Sequence, residues 1–337
     1  RECKRGVDNE CRRSEDILDC SNVKVIRIGD YIKKSFKNPL WFIRQLYPGL
    51  QVFKHIKKNM DKYTIYFCPY FWNGVPLGVP MVVAVHDYAL PIFNIYSQIN
   101  PILNIARFFT YWLEMFKVNF ARRVITLANY TVGDIRKYLP LYKGPIDVTP
   151  LSDNMTMVDM DISKYFPKDY KKRGYIIYLG GGVTKNKNSD NVVYSYNEFL
   201  KRFENKKDAP YLVIAGGLFT SSQKEAISNR NLVTKLGLDS NVIYTGRYLD
   251  EAVYSLCKNS FAFIHLSLFE GFGIAVVESM RSGSPTIAHN GTTYPEVVKD
   301  GGVLVDGRNP IEVGQVIWKI YSDKAYAQNL SKRGKFA

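Results

Sequence analysis

Along this 337-residue chain, short apolar runs alternate with longer segments whose apolar residues recur at helical spacing. Apolar runs bounded by turn formers read as buried strands, and strands alternating with helices predict parallel sheets covered by helices. In the first half the runs predict strands at Val23–Ile28, Tyr63–Cys68, Met81–Val85, Val124–Leu127 and Ile146–Thr149, with a helix-rich segment over Pro101–Arg122. Residues 150–173 are polar, carry two prolines and sustain no period. The alternation then restarts, with strands at Tyr175–Leu179, Tyr211–Ala215, Val242–Thr245, Phe261–Leu266, Thr286–Ala288 and Val303–Val305. The expected fold class is α/β: two Rossmann-like, doubly wound domains facing across a cleft, over residues 1–150 and 174–337, joined by a linker at 151–173.

Composition supports a globular chain, with 46% hydrophobic and 23% charged residues. The most apolar helical stretch, Ile99–Ala121, is interrupted by Arg107, Glu114 and Lys117 and should not span a bilayer. No signal-peptide pattern opens the chain. The five cysteines (Cys3, Cys11, Cys20, Cys68 and Cys257) are odd in number and form no C-x-x-C pair, which argues against a zinc site or a disulfide framework. Reduced thiols of a cytoplasmic protein, soluble or peripheral on the inner face of the membrane, are the expectation.

Charge adds a candidate partner. The net charge is +15, and residues 1–150 hold 22 Lys/Arg against 12 Asp/Glu. Tyr31–Lys62 interleaves Lys33, Lys34, Lys37, Arg44, Lys54, Lys57 and Lys58 with Phe36, Trp41, Phe42, Tyr47 and Phe53. Basic and aromatic residues together suit an anionic membrane surface, and a solvated helix face over a core fits the pattern equally well. A basic nucleic-acid-binding protein is the rival of a different class. It explains the charge but neither the glutamates nor the glycine loops described next, so no nucleic-acid partner is expected.

The most informative segment is His265–Glu278, HLSLFEGFGIAVVE. An apolar strand feeds the step Gly271-Phe272-Gly273, and that turn feeds a helical pattern through Ile274, Val277 and Met280. Glycines keep backbone N–H groups bare at a helix N-terminus, where the dipole favours an anion such as a phosphate. Glu270 and Glu278, eight residues apart, flank that anion site and are suited to accept hydrogen bonds from hydroxyl-rich ligands. Two acids around a phosphate cradle suggest a nucleotide-sugar site. Spacing alone is a weak signal, and the residues that follow strengthen it: Arg281-Ser-Gly-Ser-Pro-Thr-Ile-Ala288, then Asn290-Gly-Thr-Thr-Tyr-Pro-Glu-Val-Val298, then Gly301-Gly-Val-Leu-Val-Asp306.

This ordered run resembles the retaining glycosyltransferases of the GT-B class, family 4 (glycosyl transferases group 1), with their E-x7-E signature, G-x-P-x-[IV]-A step and PE[VL]V helix start. The resemblance covers roughly Tyr63–Asp323 and is strongest in the second half. It implies a retaining, metal-independent hexosyltransferase without a cofactor, using a GDP- or UDP-sugar as donor and a glycan or lipid-linked acceptor in cell-surface polysaccharide or glycoconjugate synthesis. Family members open with a strand and a glycine-rich loop and close with a crossover helix. This chain opens on the charged stretch Arg1–Cys20 and stops at Ala337, so the first strand and the final helix are expected to be missing. A sugar-nucleotide epimerase or an inactive GT-B subunit would keep the same fold without transfer.

The resemblance also assigns residues. On the family's pattern Glu270 meets sugar hydroxyls and Glu278 ribose hydroxyls, while Gly271 and the amides of Phe272, Gly273 and Ile274 hold sugar and phosphate. Gly180, Gly181 and Gly182 with Lys187 match the loop that holds the donor diphosphate. Gly181 stands where the family carries an Arg, with Lys185 available to substitute. Independently of the family, glycine amides and a cation at the carboxyl end of a strand make an anion cradle. Arg247 and Tyr248 match the segment that contacts the donor base. His86, in Val83-Ala-Val-His-Asp87-Tyr88, matches a residue near the transfer centre and is expected, with Glu270, to be catalytic. Ala121–Thr131 with Asp134 and Ile135 matches a stretch lining the cleft, with Arg122 in place of the usual Asp. Asp159-Met-Asp161 spells the D-x-D of metal-dependent transferases but sits in the linker without a buried strand before it, so no metal is expected. Asn129, Asn154 and Asn290 head N-x-T sequons that mean little without a secretory signal.

Overall fold

The computed structural model describes residues 58, 65–69, 80–89, 101–153, 155–180 and 184–335. The expected strand Val23–Ile28, the thiols Cys3, Cys11 and Cys20, the basic-aromatic segment Tyr31–Lys62 apart from Lys58, and Gly181 and Gly182 lie outside the described residues.

The first sheet runs β1 (Tyr66–Cys68), β2 (Met81–Ala84), β3 (Arg123–Thr126) and β4 (Ile146–Val148), in that spatial order and parallel throughout. Helix α1 (Pro101–Val118) lays Tyr111, Met115 and Val118 on the sheet, a stripe at helical spacing that joins Val83, Val124 and Ile135 in one core. Its other side carries Phe109, Leu113 and Phe116 exposed. Helix α2 (Asn129–Tyr138) follows β3 directly and seals the core with Ile135. Among the described residues no helix is long and apolar enough to cross a membrane.

The stretch expected to be a linker packs on the second domain. Met155, Ile162 and Tyr170 are buried there, Tyr170 opening the short helix α3 (Tyr170–Arg173). The second sheet contains β5 (Tyr175–Leu179), β6 (Tyr211–Ala215), β7 (Val242–Gly246), β8 (Ala262–His265), β9 (Thr286–His289) and β10 (Val303–Val305). Its order is β10-β9-β8-β5-β6-β7, every pair parallel. Helices α4 (Ser189–Leu200), α5 (Lys224–Lys235), α6 (Ala252–Lys258), α7 (Ile274–Arg281), α8 (Tyr294–Val298), α9 (Pro310–Ser322) and α10 (Lys324–Gly334) fill the connections.

Strand β5 shows how the layers arise. Side chains alternate across a strand, so Ile176 and Tyr178 join a core with Val192, Tyr196 and Phe199 of α4 and Val313 and Ile317 of α9. Tyr175, Ile177 and Leu179 join a second core with Leu256 of α6 and Val276 and Met280 of α7. A strand buried on both faces must be apolar at every position, as YIIYL is. The strand order reverses direction between β5 and β8, so the connections leaving these neighbours diverge and open a crevice at their carboxyl ends.

The domains meet where a side chain would not fit. A Cβ on Gly271 would lie 2.3 Å from the His86 carbonyl oxygen. Beside it the Tyr130 and Phe269 rings stand edge to face at 6.2 Å.

Candidate active site

The two loops at the β5/β8 crevice are stapled together by side-chain amides. Asn186 donates to the Phe269 carbonyl at 3.3 Å, and its own carbonyl accepts the Leu268 N–H at 2.7 Å and the Ser267 hydroxyl at 3.0 Å. Asn188, held in the left-handed conformation at φ 55°, donates to the carbonyls of Leu266 and Gly307 at 3.0 and 2.8 Å. These bonds place Lys187, in the single turn Lys185–Lys187, over the loop that carries Glu270.

Lys187 Nζ donates to Glu270 Oε1 at 2.6 Å, and His265 Nε2 stands 3.5 Å from the same oxygen. Burial works to raise the Glu270 pKa. The His265 contact and the Lys187 charge outweigh it, and the carboxyl settles at about 2. Asp87 faces this pair from the first domain, next to His86. Burial raises its carboxyl pKa, the Ala89 amide it accepts opposes that rise, and Glu270 adds to it. His86 Nε2 lies 2.8 Å from the Pro69 carbonyl oxygen.

Past Glu270 the backbone turns at Gly271 and enters α7 through Gly273, at φ 91° and ψ 48°. Gly273 is the N-cap and offers no side chain, so the first N–H groups of α7 have no side-chain cap. Tyr294 fills the space under it, 2.7 Å from where a Cβ would stand. Phe272 is buried and Ile274 half-buried. One turn into α7, Glu278 lies in a different field. Burial, with the charges of Asp153 and Asp250, pushes its pKa up to about 7. Asp153 is itself paired with Arg281 at 2.5 Å. Tyr248 is half-buried close by, its hydroxyl pushed up to about 12 by burial, Cys257 and Glu278. Arg247 is exposed, its Cβ 3.4 Å from where a Cβ on Gly217 would lie.

Of the residues singled out from sequence, Gly180, Lys187, Glu270, Gly271, Phe272, Gly273, Ile274 and Glu278 gather on the two stapled loops and α7. Arg247 and Tyr248 follow β7, and His86 enters from the opposite domain. Lys187 is not a lone cation awaiting a phosphate, because Glu270 already holds it. The D-x-D carboxylates are spent elsewhere: Asp159 pairs with Lys258 at 2.7 Å, and Asp161 accepts from the Ser163 amide and hydroxyl, both at 2.9 Å.

Sequence reasoning missed His265, which is 4% exposed with an Nδ1 that has no hydrogen-bond partner among the described residues. It also missed the stapling pair Asn186 and Asn188. The signal for His265 was its place at the end of an apolar strand, five residues before Glu270. Asparagines two apart in a loop announce nothing until their partners are known.

Known proteins resemble this chain in sequence and fold. A family model described as Glycosyl transferases group 1 matches residues 161–336, more than half of the chain. The O-antigen chain mannosyltransferase B of Escherichia coli is 23% identical over 218 residues, covering 64% of this chain and 55% of that protein. The chain thus spans about half the length of this curated relative. Among solved structures, WaaG, a glycosyltransferase involved in lipopolysaccharide biosynthesis, superposes with a TM-score of 0.66 at 14% identity, covering 92% of this chain and 81% of its own. HepE of Anabaena, in complex with UDP, superposes at 0.60 and 18% identity, covering 85% of this chain and 76% of its own. The fold is GT-B.

Proposed function

The chain belongs to the glycosyl transferases group 1, and on that premise we propose that it moves a hexose from a GDP- or UDP-sugar to a glycan or lipid-linked acceptor with retention at the anomeric carbon, in cell-surface polysaccharide or glycoconjugate synthesis. The observation that carries this reading is the Lys187–Glu270 pair set at the uncapped N-terminus of α7, with Glu278 one turn along the same helix. The similarity to an O-antigen mannosyltransferase and to a UDP-bound structure supports the substrate class. Domain limits of 1–150 and 174–337 with a linker at 151–173 go with this proposal.

In the proposed reaction the bond from the anomeric carbon to the diphosphate oxygen breaks, and a bond to the acceptor oxygen forms on the same face. The acceptor proton passes to the departing phosphate. Negative charge grows on the diphosphate, so groups preorganised around it lower the barrier most. The amides of Phe272, Gly273 and Ile274 and the Lys187 ammonium fill that role, with the Gly180–Gly182 loop alongside. Glu270, ionised across the working range, accepts from sugar hydroxyls and keeps Lys187 in place. Glu278 accepts from the ribose, Arg247 and Tyr248 meet the base, and His86 closes on the sugar from the first domain. In this reading no metal takes part, in keeping with Asp159 pairing with Lys258 of α6 and Asp161 with Ser163.

Thermal-shift screening of UDP- and GDP-sugars, followed by product analysis, tests the reading. A stabilising donor whose sugar reaches an acceptor with unchanged anomeric configuration supports it, because a ligand that binds only the native state raises its melting temperature. Interconverted donors would instead indicate an epimerase. Lys187→Ala should nearly abolish transfer, and EDTA should leave wild-type turnover unchanged. Strict dependence on a divalent ion would return Asp159 and Asp161 to the site.

A further inference from the structure

Helix α2 begins without a cap of its own. Ala128 occupies the N-cap with extended backbone (φ −149°, ψ 152°) and has no side-chain oxygen, and the first turn holds no acid. The N–H groups at a helix start need an acceptor, and a negative charge there also meets the helix dipole. The acceptor comes from the other domain. Glu296, in α8, takes the Asn129 amide at 2.9 Å and the Asn129 side chain at 3.1 Å on Oε2, and the Tyr130 amide at 2.9 Å on Oε1. One carboxylate thus holds three donors of the facing domain.

The element that supplies Glu296 also holds the donor loop. Thr293, just before α8, donates its hydroxyl to the Phe272 carbonyl at 3.2 Å and lies 3.4 Å from the Glu270 carbonyl. Tyr294 packs under Gly273, and Tyr130 meets Phe269 edge to face. We propose that Glu296 is a positioning residue that latches the cleft shut: its grip on the bare start of α2 sets the first domain against the Glu270–Gly273 loop, so that His86 and the acceptor stand in register with the donor. The inference rests on the transfer reading above and adds to it a residue that touches neither substrate. The missing cap makes the device specific. Because α2 has no local partner for these amides, opening the cleft leaves them to water.

Three variants and two readouts test the latch. Glu296→Ala should lower kcat about tenfold or more, while the donor Kd stays within about twofold, because charge-assisted hydrogen bonds that orient the domains are lost and the donor loop is not. Glu296→Gln, which keeps one acceptor oxygen without the charge, should fall between and carries the test if the alanine variant does not fold. Amide hydrogen exchange at Asn129 and Tyr130 should quicken in both variants. Ala128→Ser added to Glu296→Ala supplies a cap from within the first domain. It should restore protection of the Tyr130 amide, the second of the helix, and leave kcat low, since a local cap does not bridge the cleft. Wild-type kcat in Glu296→Ala, a matching loss of donor affinity, unchanged exchange, or recovery of kcat by Ala128→Ser would each overturn the latch. The exchange readout needs no turnover. If the wild type transfers no sugar while exchange still responds to Glu296, the transfer reading falls and the latch stands.

Discussion

Glu270 and Glu278 share a residue type and a loop-helix unit but not a protonation range. Glu270 sits beside Lys187 and His265 and is ionised down to about pH 2, whereas Glu278 titrates at about 7 under burial and the fields of Asp153 and Asp250. For stability the signs are opposite. The contribution of Glu270 is present above its unfolded value of 4.5 and is lost as pH falls toward 2. That of Glu278 is present below 4.5 and is lost as pH rises through about 7. For binding, a carboxylate that accepts ribose hydroxyls must be ionised. Donor affinity should therefore rise with pH through about 7 and lose that step in Glu278→Gln, as titration calorimetry across the range would read. Glu278→Ala should weaken donor binding, and Glu270→Ala should lower turnover more than binding. Each effect should be about ten- to a hundredfold, the worth of one charge-assisted hydrogen bond. Wild-type kinetics in both would remove these residues from the site.

At the scale of elements, α7 is aimed by its entry turn. Gly273 takes φ 91°, where a side chain is strained, and Tyr294 occupies the space a Cβ needs. Gly273→Ala should cost roughly 1–3 kcal/mol of stability. It should also weaken donor binding, because either α7 or Tyr294 must shift; a melt and a donor titration measure both. Most elements were legible beforehand. Strands β5, β6 and β10 have the limits expected from their apolar runs, since a parallel strand covered on both faces is continuous in sequence. The apolar run Phe261–Leu266 is longer than the strand it forms. β8 keeps only Ala262–His265, the stretch that pairs with β5 and β9, while Leu266 turns its carbonyl to Asn188.

For the whole molecule, the basic excess lies in the first domain, as do most exposed large apolar side chains among the described residues. Residues 1–150 carry the basic excess, and α1 leaves Phe109, Leu113 and Phe116 exposed. The protein should therefore dock reversibly on anionic lipid, reaching a lipid-linked acceptor from the membrane surface. Each cation near such a surface contributes on the order of 1 kcal/mol, so four or five engaged lysines suffice. Vesicle co-sedimentation should rise with anionic lipid and fall with salt. Changing Lys33, Lys34, Lys57 and Lys58 to Glu should abolish it and spare donor affinity. A protein that ignores vesicles and retards DNA with a steep salt slope would favour nucleic acid instead.

Local order alone determined the alternation of strands and helices, the glycine turn before α7 and the two glutamates beside it, because these depend on neighbours a few residues apart. The contacts that tune the site join residues far apart in the chain, and only the tertiary structure decided them. Lys187 meets Glu270, and Asn186 and Asn188 staple the loops, because the sheet order places β5 beside β8, while Asp153 from before β5 and Asp250 from after β7 raise Glu278. Glu296 reaches Asn129 because α8 of the second domain faces the start of α2 in the first. A hydrogen bond is short-ranged in space and indifferent to separation along the chain, so its partner is named only once the fold is known.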